Sequence, residues 1–395
     1  MNYQVIMSYQ KSSSTVKDPW DASRTGWLGI AWYEKFGPQS LAKLQRHFQS
    51  TGGESAWHAS KNEFLQAGIT LSTATSFIDW RATQDPAKFK QILNKYSIDF
   101  YLPWDKQYPV ALRQSIHPPG ALFWRGAPLD TRPWIAVVGT RAMSAYGVHA
   151  TEIIVRGLVE ADAGIVSGLA LGIDGKAHDV ALQSGGKTVG ILACGLDEPS
   201  IYPRSNAKLA ERILLSGGTL ISEFPPFTKA LKQHFPQRNR LIAALAKATI
   251  VVEAGEKSGS VMTANFAAED NREVFAVPGP INSLMSKGTN ELLRQGAQIC
   301  ASASDVLASA PVKPAIESQP FDHQLTGEER RILEICRTPI HVDDIARLLS
   351  FPSAMVSATC MNLELINALQ NIGFQQYELT TFGRKLLNQS EVHTQ

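Results

Sequence analysis

Hydrophobic positions follow three successive patterns along the chain. In TGWLGIAWYEKFG, PQSLAKLQRHFQ and PAKFKQILNKY they recur every three or four residues between glycines and prolines, the spacing of short amphipathic helices. A small helical domain is therefore expected over 24–96. After a proline-rich passage, YLPWDKQYP and IHPPGALFWRG, the pattern changes to short β-branched runs: WIAVVGT, AGIVSG, KTVGILACG, GTLISE, ATIVVEA and EVFAVPG. Runs of this kind suit strands buried on both faces, and their alternation with helical segments indicates a parallel sheet covered by helices on each side. The fold class expected for 97–308 is α/β, an extended Rossmann-like, doubly wound and mostly parallel sheet. Alanine, serine, proline and lysine crowd 309–321, as in a linker. Beyond it, LTGEERRILEICR, HVDDIARLLS and SAMVSATCMNLELINALQN are of helix length and FQQYELT reads as a wing strand, which predicts a winged-helix domain over 322–390.

Composition narrows the class without naming a function. With 395 residues, 44% hydrophobic and 19% charged, the chain can bury two or three cores. No run of about 18 apolar residues suggests a membrane span, and MNYQVIMSYQKSSSTVKDPW lacks the regions of a signal peptide. A cytoplasmic protein with no membrane partner is expected. Cys194, Cys300, Cys336 and Cys360 form no CxxC pair, so they read as reduced core residues, not a disulfide framework or zinc site. The formal net charge of +2 is too small to mark a nucleic-acid binder, and any electrostatic signal must be local.

Ligands of an open parallel sheet sit beyond the carboxyl ends of its strands. After the first apolar run, VVGTRAMSAYG offers Gly139 for a tight turn, Thr140 as a helix cap and Arg141 beside a helix start. The next loop, SGLALGIDGKAHDVAL, carries Gly168, Gly172 and Gly175 ahead of a helix with Lys176 and His178. GEKSGSVMTAN supplies Ser258, Gly259, Ser260 and Thr263 as hydroxyls and exposed amides at another helix start. In FPQRNR, Pro236 and a helix beginning near Arg238 would set Arg238 and Arg240 in a first turn, aimed above the sheet. No acidic residue occurs from Phe224 to Val252, whereas Lys229, Lys232, Arg238, Arg240 and Lys247 lie within it. Several phosphates are the ligand implied, with Phe235 as a stacking face for a base. Each feature alone has a structural account: either arginine can pair with a carboxylate, and His178, four residues after Asp174, suits a satisfied core histidine better than a catalytic base. Their meeting at one sheet edge is what points to a binding site.

Other chemistries fail on spacing. GGKT at Gly185–Thr188 has Ala181 where a phosphate-binding loop needs its first glycine, and it precedes a strand. No G-x-G-x-x-G follows a strand, no G-x-S-x-G nucleophile elbow appears, and metal-ligand spacings are absent. No cofactor, metal or catalytic residue is expected.

In this order, VVGTRAMSAYG, SGLALGIDGKAHDVAL, ACGLDEPSIYPRSNAKL, FPQRNRLIAAL, VVEAGEKSGSVMTA and VFAVPGPINSLMSKGTNELLRQGA resemble the bacterial DNA-processing protein A family, DprA or Smf. DKQYPVALRQSIHPPGALFWRG resembles its lead-in to the sheet, and the helical segment its sterile-alpha-motif-like or helix-hairpin-helix-like domain. The resemblance implies a protein that binds single-stranded DNA, self-associates as a homodimer and loads the RecA recombinase in natural transformation, without catalytic turnover. By position it implies a DNA pocket of Gly139, Thr140 and Arg141; Lys232, Phe235, Arg238, Asn239 and Arg240; and Ser258, Gly259, Ser260, Thr263 and Ala264. Gly168, Gly172 and Lys176 are secondary candidates. Arg141 and Arg240 are expected to clamp phosphates, amides near Gly259 to cradle another, and Phe235 to pack on a sugar or base.

The winged-helix segment departs from a duplex reader. Its third helix has no Lys or Arg, nor does anything else from Phe351 to Gly383, and 321–395 holds nine acidic against six basic residues. A groove reader needs phosphate contacts for register, so protein contact or packing is expected. Two rival functions share the sheet signal. One is a cytokinin-activating phosphoribohydrolase-like enzyme, whose P-G-G-x-G-T-x-x-E stretch is replaced here by VPGPINS and GEKSGSVMTA; the other is a small-nucleotide sensor with a single phosphate-sized pocket.

Overall fold

Six short helices open the folded chain: α1 (Ala22–Ala31), α2 (Pro38–His47), α3 (Gly52–His58), α4 (Lys61–Gln66), α5 (Leu71–Arg81) and α6 (Pro86–Lys95). In this computed structural model the residues described are 20–256, 258–309, 325–366, 368–373, 375–380, 383–384 and 386–387. The helix starts are written locally. Asp21, Ser60, Thr70 and Asp85 each accept a backbone amide as N-caps, and Ser60 with Glu63 forms a capping box. Their apolar sides bury Leu28, Leu44, Phe64 and Phe77 completely.

The sheet strands are β1 (Asp99–Tyr101), β2 (Leu122–Gly126), β3 (Trp134–Val138), β4 (Gly164–Ser167), β5 (Thr188–Leu192), β6 (Thr219–Ser222), β7 (Ala248–Val251), β8 (Glu273–Ala276) and β9 (Gln298–Ile299). They run in the order β1-β2-β6-β5-β4-β3-β7-β8-β9. Strands β3 to β9 pair in parallel, while β1 and β2 add an antiparallel edge. The chain is thus a Rossmann-like, mostly parallel α/β sheet, and the six apolar runs are β3 to β8. Strands β4, β5 and β6 build outward on one side of β3, and the chain then returns to place β7 on its other side. That reversal opens a crevice between β3 and β7.

Side chains alternate between the sheet faces. One face buries Ala136, Val138, Ile191 and Ile221 against α7 (Val110–Arg113), α11 (His234–Leu245), α12 (Gly259–Glu269) and α13 (Lys287–Arg294). The other is shared. Ile135, Val137 and Ile165 pack under α8 (Ala145–Glu160), α9 (Ile173–Gln183) and α14 (Ala303–Ser309), whereas Phe123, Leu192 and Leu220 join α10 (Ala207–Leu215) and the six N-terminal helices in one core. The helical segment and the sheet accordingly fall within one packed unit, Met1–Ala315.

The second unit, Ile316–Gln395, is a winged helix. It contains α15 (Gly327–Ile335), β10 (Ile340–His341), α16 (Val342–Leu349), α17 (Ser353–Leu365), β11 (Leu369–Gly373) and β12 (Gln376–Leu379), with strand order β10-β12-β11. Its core includes Ile332, Ile345, Val356 and Cys360. The third helix is shorter than its pattern predicts. The chain turns after Leu365, the Ala368 N–H donates to the Leu363 carbonyl at 2.8 Å, and the last residues of the expected helix start β11. The expected linker beyond Ser309 lies outside the described residues. Among those residues no helix is long and apolar enough to cross a membrane.

Candidate nucleic-acid interface

At the crevice between β3 and β7 a cavity of about 420 Å³ opens. The loop after β3, the first half of α11 and the start of α12 form its walls. Among the helices that begin at this edge are α8, α9 and α12. A helix start carries unpaired amides and a partial positive charge, so each is a potential anion site.

Two of the three are closed from within. At α8 the cap is Ser144, whose Oγ accepts the Gly147 N–H at 3.1 Å. The Glu253 carboxylate, 2% exposed, receives the Ser144 N–H at 2.9 Å and its hydroxyl at 2.5 Å. Thr140, expected as the cap, instead accepts the Ala142 N–H at 3.2 Å, because the helix begins four residues later. At α9 the Asp174 carboxylate takes the Gly168 N–H at 3.1 Å and also the amides of Gly139 and Ala170. Burial pushes the Asp174 carboxyl up, against the pull of Arg238 and those amides. The third start is open. Ser258 caps α12 by accepting the Ser260 N–H, no carboxylate lines that wall, and the exposed Gly259 N–H has no partner among the described residues.

The arginines divide in the same way. Helix α11 starts at His234, a turn before the sequence places it, so Arg238 and Arg240 fall beyond the first turn. Arg238, 4% exposed, donates to the Gly168 carbonyl and, at 2.6 Å, to the Ile191 carbonyl. It lines the cleft floor as a tie between strand ends. Arg240, 7% exposed, pairs with Glu223 at 2.5 Å and donates to the His117 carbonyl. It lies outside the cleft lining, engaged in a buried pair and not facing the cavity where a phosphate clamp is expected. Burial pushes the Glu223 carboxyl up while Arg240 opposes it. Arg141 differs from both. It is exposed, and its guanidinium lies 5.0 Å from the Phe235 ring centroid. Tyr202 meets the same ring edge-on at 6.1 Å. Cation, aromatic face and open helix start therefore border one cavity.

Against known proteins, the model described as DNA recombination-mediator protein A matches residues 99–311. The chain belongs to that family. A second model, the DprA winged helix domain, matches residues 317–370. Among curated relatives, Protein Smf of Synechocystis is 34% identical over 314 residues, covering 78% of this chain and 75% of that one. DNA processing protein DprA of Bacillus subtilis is 41% identical, covering 55% and 72%. The X-ray structure of DNA processing protein A from Streptococcus pneumoniae is 32% identical with a TM-score of 0.63, covering 73% of this chain and 98% of that chain.

Of the residues singled out by the resemblance to the DprA family, Gly139, Thr140, Arg141, Phe235, Arg238, Asn239, Ser258, Gly259, Ser260 and Thr263 all line the cavity. Asn239 ties α11 to the open start, donating to the Gly259 carbonyl at 3.1 Å. Others do not enter it. Ala264 is core, Lys232 is exposed outside the lining, and Lys176 pairs with Glu152. Gly168 is fixed by close packing, since a Cβ there would stand 2.0 Å from the Arg238 guanidinium. His178 faces Thr188 at 2.6 Å, held down to about 3 by burial and then by Arg238, and is a neutral core residue rather than a base. Sequence reasoning passed over Asp174 as an anchor and Glu253 altogether. Asp174, in the first turn of α9, carries a local signal for internal capping, whereas Glu253 follows β7 and reaches the start of α8 from 109 residues away, which no local pattern marks.

Proposed function

We propose that this family member binds single-stranded DNA in the β3–β7 cleft and acts as a recombination mediator by binding, without turnover. One observation carries the reading: the open start of α12 borders the same cavity as Arg141 lying over Phe235. That set suits a phosphate together with an unstacked base or sugar, the combination a single strand presents and a duplex withholds. The carboxylates Asp174 and Glu253 are engaged by amides and a hydroxyl, and His178 is neutral and turned away, which favours holding over chemistry. The resemblance adds the finer reading: a cytoplasmic homodimer that delivers its strand to the RecA recombinase.

The test is fluorescence anisotropy of the full chain with a labelled single-stranded oligonucleotide across a salt series, challenged by duplex of equal length and by mononucleotides. Salt-sensitive binding displaced by single strands alone is expected, followed by faster RecA filament assembly when the protein is added. Mononucleotides competing as well as the oligonucleotide would replace this reading with a small-ligand site, enzyme or sensor.

A further inference from the structure

Beside the cleft, a groove of about 370 Å³ runs between the starts of α9 and α10, lined by Met143, Leu171, Gly172, Lys176, Lys208 and Arg212 among others. Two contacts join it to the cleft. Gly172 is pressed against the loop that carries Arg141: a Cβ there would stand 2.2 Å from the Thr140 carbonyl oxygen and 2.7 Å from the Arg141 carbonyl. Leu171 lines both the groove and a small hollow bordered by Arg141, Tyr202 and Phe235. The two depressions thus share a wall one loop thick.

Three cations and one carboxylate, Asp179, face the groove. Arg212 holds Asp179 at 2.7 Å and Lys176 pairs with Glu152, while Lys208 is exposed with no ion partner among the described residues. Exposed Met143 and Leu171 offer apolar surface between cleft and groove. A nucleic-acid strand repeats its charge at every residue, so a phosphate seated at α12 and Arg141 brings neighbours that need cations in line. Resting on the reading of the cleft as a single-strand site, we propose that the strand crosses the Arg141 loop and continues into this groove, where Lys208, flanked by Lys176 and Arg212, holds its next phosphates.

The experiment is an anisotropy series on the full chain with oligothymidylates from about 3 to about 20 nucleotides, a range that brackets single-strand site sizes. Wild-type affinity is expected to rise with length beyond the shortest oligonucleotides. Lys208→Glu should abolish that rise and lower the long-oligonucleotide salt slope by about 0.7 per lost phosphate contact, leaving the shortest unaffected, and Lys208→Arg should keep it. Arg141→Ala should weaken every length. If Lys208→Glu tracks wild type throughout while Arg141→Ala does not, the groove assignment is wrong and the cleft stands. If both track wild type, the cleft reading falls as well.

Discussion

Arg240 and Arg141 carry the same guanidinium in the same domain and do opposite things. Arg240, 7% exposed, is consumed by Glu223 and the His117 carbonyl; Arg141 is exposed over the Phe235 ring. The helix starts repeat the contrast, with α8 and α9 filled by Glu253 and Asp174 and α12 left open. A cation or a helix start serves a ligand only if the fold has not already supplied its counter-charge. The residues that look most like a binding motif, the two arginines of FPQRNR, are those the fold has used.

The largest way to break this contrast is Arg240→Ala. It leaves Glu223 buried without its partner, and removing one member of a buried pair costs about 3–5 kcal/mol. Denaturant unfolding should show that loss, and a change below about 1 kcal/mol would place Arg240 with the available cations. Next is His178, whose depressed value makes stability fully present above its ordinary value near 6.5 and lost as pH falls from there toward about 3. The slope from this group approaches about 1.4 kcal/mol per pH unit, and His178→Gln should remove it in urea titrations at stepped pH. DNA affinity between pH 7 and 8 should not depend on this residue.

A finer probe closes the open start. Gly259→Asp, where a new Cβ meets nothing nearer than 3.8 Å, would give α12 the internal anion that α8 already has. Thermal unfolding should show a gain of about 0.3–1 kcal/mol while oligonucleotide binding falls, two effects of opposite sign. Binding that survives the change would remove α12 as the phosphate site. The smallest effect is expected from deleting 321–395: the described part of α17 carries no cation, so single-strand affinity should stay near wild type, and a large loss would give the winged helix a share in binding.

Strands β3 to β7 were legible because they are buried on both faces, and β8 because its second half is, so their apolar runs needed no partner to be recognised. β2 was hidden by the prolines around it, and β11 by ALQN continuing a helical spacing that the turn after Leu365 breaks. The site was half legible. Glycine- and hydroxyl-rich loops after strands mark the crevice, and the chain order of apolar runs brings them to one edge. What the sequence hides is engagement: Arg240 finds its carbonyl 123 residues away and Arg238 one of its own 70 residues away. No local pattern distinguishes a guanidinium that meets such an acceptor from one that does not.

The most direct test compares salt dependence. Single-strand affinity of wild type, Arg141→Ala and a folded Arg240→Lys variant would be measured across ionic strength. The slope of log affinity against log salt should become shallower by about 0.7 for Arg141→Ala, one lost phosphate contact, and should not change for Arg240→Lys. An unchanged slope in Arg141→Ala would contradict the claim that the cation the fold leaves unpaired at the cleft holds a phosphate there.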